Sequence, residues 1–167
     1  MNKSHAKIRA LLALPVLAAL LAGGAALAAD GLVLEAFAEI EVVQEGADGA
    51  RTVARVPAET VVPGDEVIYT LTWDNRGGEP ADDVAITNPI PEHMELRRAD
   101  GTPAHVEIMY SVDGGAIFGP LSDLTIPDGA GGIRPAVPAD CTHIRWHFHR
   151  PLAPGESGQV SYTTRLM

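Results

Sequence analysis

Along most of the chain, hydrophobic and polar positions alternate with a period of two. Residues 32–43, LVLEAFAEIEVV, place Leu32, Leu34, Ala36, Ala38, Ile40 and Val42 on one side and Glu35, Phe37, Glu39 and Glu41 on the other. Successive side chains of an extended chain point to opposite faces, so this pattern predicts a strand with one buried face. EGADGA then supplies a turn and RTVARV a short return strand. Pro63-Gly64-Asp65 opens EVIYTLTW, where Val67, Tyr69, Leu71 and Trp73 share a face, and Asn75-Arg76-Gly77-Gly78 ends it. A strand over Val84–Thr87 follows, stopped by Pro89 and Pro91, which have no amide hydrogen for a ladder.

HVEIMYSVDGGAIFGP reads as a hairpin turning at Asp113-Gly114-Gly115, and LSDLTI as a further short strand. Residues 127–140, PDGAGGIRPAVPAD, read as a long Gly- and Pro-rich loop. THIRWHFH and GQVSYTTRL close the chain as two strands joined by a turn at Pro154-Gly155. No segment after the leader has apolar residues at helical spacing. Eight to ten short antiparallel strands between Gly/Pro turns predict an all-β, immunoglobulin-like β-sandwich over residues 30–167.

The leader changes the picture of where the chain works. Lys3, Lys7 and Arg9 precede an apolar run that ends in Ala26-Leu27-Ala28, the layout of a Sec-type signal peptide over residues 1–28. The alternative is an uncleaved anchor, since about 18–20 apolar residues can span a bilayer. Gly23-Gly24 and the Ala-x-Ala end favour cleavage. No Arg-Arg pair precedes the apolar run, and Cys141 lies far from the cleavage region, which excludes lipid attachment to a new N-terminal cysteine. The expected location is the periplasm, the outer surface or the extracellular medium, with membrane contact only through the leader if it is retained.

Three of the 12 basic residues and none of the 22 acidic ones lie in that leader, so the mature chain keeps nine arginines and a net charge of −13. Without a basic stripe, nucleic acid is not an expected partner. The single cysteine, Cys141, cannot form an internal disulfide and is expected to be a small buried hydrophobe; a reactive thiol would need an electropositive, accessible setting, which His143 could supply.

Three stretches also carry a likeness. TVVPGDEVIYTLTWDNRGGEPADDVAITNPIPEHMEL, SVDGGAIFG and HIRWHFHRPLAPGESGQVSYTTRL, spanning roughly residues 52–166, resemble the bacterial "conserved repeat domain" family, domain of unknown function number eleven. The Pro-Gly-Asp strand entry, the Asn-x-Gly turn, the Ile-Pro-Glu segment and the closing Leu-Ala-Pro-Gly-Glu occur in the same order. The resemblance implies an immunoglobulin-like sandwich of exported and cell-envelope proteins, usually in tandem as stalks or spacers, with no catalytic residues and no cofactor. This chain carries one copy, without a cell-wall sorting motif or an apolar C-terminal tail. The expectation is therefore a structural or interaction module that diffuses, binds a partner or assembles with itself. Self-assembly would use Leu32–Val43 to extend a partner's open sheet edge; the competing expectation is that this segment folds back through the EGADGA hairpin.

Candidate chemistry concentrates in HIRWHFH. With Ile144, Trp146 and Phe148 inward, His143, Arg145, His147 and His149 face outward. Alternate Cα atoms of a strand lie about 6.5–7 Å apart, so His147 and His149 can share a metal ion, while His143 is about 13 Å from His147. A zinc site needs a third protein ligand from another strand or loop, and His93, His105 and several acids are candidates. The competing reading is a solvated strand face with nothing to fix the imidazole tautomers.

SVDGGAIF fits the Asp-box pattern of propeller blades but occurs once, which favours a plain hairpin. Asp82, Asp83, Asp113, Asp123 and Asp128 form no loop of alternating calcium ligands. Neither a Gly-x-Ser-x-Gly elbow nor a His-Glu-x-x-His helix is present, and a non-enzymatic role is expected.

Overall fold

A computed structural model describes residues 31–46, 49–100 and 103–167. The signal peptide expected over residues 1–28 lies outside them. Among the described residues no helix is long and apolar enough to cross a membrane. The chain forms β1 (Leu32–Glu45), β2 (Arg51–Pro57), β3 (Glu66–Asn75), β4 (Ala85–Pro89), β5 (Met94–Asp100), β6 (Val106–Ser111), β7 (Thr125–Pro127), β8 (Ile133–Pro135), β9 (His143–Phe148) and β10 (Ser157–Leu166).

These strands build an antiparallel β-sandwich. One sheet runs β2-β1-β3-β10-β5, the facing sheet β4-β9-β6, and β7-β8 make a small separate ribbon. Each main sheet sends its alternating apolar side into one core. Val67, Tyr69, Leu71, Trp73, Val160 and Tyr162 come from the large sheet and meet Ile86, Ile144, Trp146 and Phe148 from the small one. The aromatic rings bridge the layers: Trp73 meets Phe148 edge-on at 4.9 Å, and Trp146 lies 5.9 Å from Tyr162. Such pairs contribute about 0.5–1.5 kcal/mol beyond the area they bury. The Tyr162 hydroxyl, buried by the same packing, accepts a hydrogen bond from Asn88 Nδ2 on β4.

β1 is an internal strand. Its first half pairs with β3 from Leu32↔Asn75 to Glu39↔Ile68, and its second half pairs with β2 from Glu39↔Pro57 to Glu45↔Arg51. The segment considered for strand donation is thus folded back into its own sheet. Leu32, Leu34, Ala38 and Ile40 pack against the core as their alternation requires.

Three local readings are corrected. The sequence after Pro91 forms β5, with Met94 and Leu96 buried and a register shift between Thr163 and Thr164 of β10. Residues 121–126 are not one strand: Leu121–Asp123 is a single 3₁₀ turn before β7. The return arm of the Asp113 hairpin touches β6 only through the bridge Tyr110↔Gly119, and the long loop contributes β8.

Candidate metal centre

β9 alternates as its sequence demands: Ile144, Trp146 and Phe148 are buried, while His143, Arg145 and His147 are half-buried on the opposite face. Trp146, at 0% exposure, fixes that orientation, because a one-residue slip would push its indole into water. β9 is the central strand of its sheet. Each outward residue therefore has a neighbour on both sides, and His147 lies between Ala85 of β4 and Glu107 of β6.

This register brings together three metal-ligating groups. One donor atom each from Glu107, His147 and His149 lies within 4.8 Å of the others. His149 Nε2 is 3.3 Å from Glu107 Oε2, and the two imidazoles meet edge to face with centroids 5.2 Å apart. His149 follows the last residue of β9. Its backbone N–H donates to the His105 carbonyl at 3.0 Å, and the next residue, Arg150, holds Glu156 through two hydrogen bonds of 2.8 and 2.6 Å. The backbone on both sides of His149 is thereby fixed although its ring is exposed.

His147 also has a carboxylate partner. Its Nε2 is 3.2 Å from Oδ1 of Asp83, which lies two residues before β4. Ala85, the β4 neighbour of His147, is a single methyl and leaves room for that carboxylate to lean across. Asp83 adopts φ +51, a left-handed conformation that aspartate tolerates better than most residues. A carboxylate thus lies within hydrogen-bonding reach of each Nε2.

The other sequence candidates lie elsewhere. His143 faces the 111–118 hairpin, with the Phe118 ring 6.4 Å away, and burial followed by the Arg145 charge lowers its pKa despite the opposing pull of Asp113. His93 sits in the turn before β5, where its carbonyl accepts the Met167 amide. His105 packs against Phe148. Neither joins the cluster, which takes Glu107 as its third member. Of the acids weighed for calcium, two serve local turns: Asp113 accepts N–H bonds from Ala116 and Ile117, and Asp128 from Ala130 and Gly132. Among the described residues, Glu107, His147 and His149 form the one group of three suited to a metal.

Arg145, one outward position before His147, is turned aside. Its Nε donates to Thr87 Oγ1 at 2.9 Å and its guanidinium stacks 3.6 Å above the Phe118 centroid. Cys141 is buried, and desolvation, assisted by Asp140, pushes its thiol up to about 11. His143 does not activate it. Two imidazoles and one carboxylate within a few ångströms, in a strongly acidic chain, form a donor set for a borderline divalent ion such as zinc. No protein-family model, curated protein or solved structure matches this chain.

Proposed function

We propose that the chain is an exported, non-enzymatic structural or interaction module of the cell envelope or extracellular space, and that it binds a divalent transition metal at Glu107, His147 and His149. The convergence of those three donors within 4.8 Å carries the metal reading. The leader sequence and the resemblance to the conserved repeat domain family support the module reading. Glutamate and two histidines match the hardness of zinc better than that of calcium, which takes six to eight oxygens.

The test is a calorimetric zinc titration of the untagged mature protein after chelator treatment. Micromolar binding is expected, weakening in acid as protons compete for the donors. The His147→Ala, His149→Ala double variant should lose it. Binding of equal strength in the double variant would remove this site from consideration, and no binding by the wild type would remove the metal reading altogether.

A further inference from the structure

We infer that Asp83 is a fourth protein ligand and that the metal clasps all three strands of the small sheet; this rests on the proposed site. Zinc bound by nitrogen and oxygen has arms of about 2.0–2.2 Å, which places neighbouring donors of a tetrahedron about 3.3 Å apart. Two such edges are already formed. His147 Nε2 and Asp83 Oδ1 are 3.2 Å apart, and His149 Nε2 and Glu107 Oε2 are 3.3 Å apart. The two pairs become adjacent because His147 and His149 are alternate residues of one chain with rings in edge-to-face contact. Asp83 reaches His147 but lies outside the 4.8 Å group of Glu107, His147 and His149, so closing the set requires its carboxylate to swing toward them; its side chain is 93% exposed and has no packing to resist that movement.

The backbone supports the assignment. Asp83 holds a left-handed φ two residues before β4, and its Oδ1 lies 3.2 Å from His147 Nε2 on β9. In sequence the four ligands are far apart, but in space they join the loop entering β4, the strand β6 and the end of β9. A site with four protein ligands leaves no position for water or substrate, which is the arrangement of structural zinc rather than of hydrolytic zinc.

Asp83→Asn tests this, since asparagine tolerates the left-handed conformation equally well and removes only the charged donor. Zinc affinity of the untagged variant should fall by about tenfold or more. In the cobalt-substituted protein, the intense visible bands of four-coordinate cobalt should weaken as water replaces the carboxylate. Equal zinc affinity in wild type and variant would overturn the inference while leaving the three-residue site standing. Weaker affinity with an unchanged cobalt spectrum would also overturn it, because Asp83 would then act only through its hydrogen bond to His147. A wild type that takes up no zinc would remove both this inference and the reading beneath it. An unchanged melting temperature of the metal-free variant checks that the fold is intact.

Discussion

Asn75 ties together the turns at one end of the sandwich, and its removal has a cost that can be worked from its bonds. The side chain is 1% exposed. Its Nδ2 donates to the Leu152 carbonyl at 2.8 Å and to the Glu79 carbonyl at 3.0 Å, and its Oδ1 accepts the Gly77 amide at 3.0 Å. Its backbone bonds to Gly155 and Glu156 as well, so one residue ties the turn after β3 to the turn before β10. Each such bond contributes about 1 kcal/mol net, and a buried group left without a partner costs about 1–3 kcal/mol. The Leu152 carbonyl keeps the Ala81 amide and Glu79 is exposed, so the expected loss for Asn75→Ala is about 2–3 kcal/mol. Asn75→Asp retains the bond to Gly77 but sets a carboxylate against two carbonyl oxygens in a dry site. Its carboxyl should therefore titrate above the usual value of about 3.9. A group whose folded pKa is raised binds more protons when folded. Asn75→Asp should thus lose more stability than Asn75→Ala at neutral pH and recover part of it as pH falls through the raised pKa. Urea unfolding followed by fluorescence of Trp73 and Trp146, at pH 7 and pH 4 and always relative to wild type, gives both quantities. A loss below about 0.5 kcal/mol for Asn75→Ala, the floor for one hydrogen bond, would refute the reasoning. So would two variants with the same pH dependence.

Two further predictions concern the core. Gly158 lies opposite Trp73 in the β3–β10 ladder, and a Cβ there would fall 2.3 Å from the indole Cζ2, so Gly158→Ala should destabilise by about 1–3 kcal/mol and alter the near-ultraviolet circular dichroism; an unchanged unfolding midpoint would show that Trp73 can move aside. Cys141 is 5% exposed with its thiol pushed up to about 11, so at pH 8 the folded protein should react with a disulfide reagent far more slowly than the urea-unfolded chain, and equal rates would contradict its burial.

The sandwich was legible because its buried residues announce themselves locally. Val67, Tyr69, Leu71 and Trp73 on β3 and Ile144, Trp146 and Phe148 on β9 all alternate within a few residues, and all are buried where that pattern puts them. β5 was missed because Arg97 and Arg98 follow Leu96 directly and two prolines precede it, which hides a strand whose only buried residues are Met94 and Leu96. The same division holds at the site. Outward placement of His147 and His149 follows from β9 itself, but their carboxylate partners do not. Glu107 meets His147 through pairing between strands 40 positions apart in sequence, a register set by the whole sheet. One signal was present: VEIMY alternates so that Glu107 leaves the core. Asp83 reads only as one of the loop acids weighed for calcium, and nothing in its local sequence ties it to β9, because that approach is made by the chain entering β4.

A guanidinium on the same strand face opposes a cation site, since Arg145 and His147 are alternate residues. At a separation of about 7 Å in water, a divalent ion and one positive charge repel by only about 1 kcal/mol, although a drier surface raises this severalfold. The side chain is arranged to keep that cost low. Phe118 binds the guanidinium to its face and Thr87 takes its Nε, which anchors the charge beside β4, while Glu107 draws the cluster toward β6. Among the described residues no carboxylate lies within ion-pair distance of Arg145, as for Arg51, Arg97 and Arg165, whereas Arg55, Arg76, Arg98, Arg134 and Arg150 each have at least one. The carboxylates nearest to β9 on this face are instead directed at imidazoles. That distribution is what a cation site requires: Asp83 and Glu107 remain available because the arginine next to His147 on this face is satisfied by an aromatic ring and a hydroxyl.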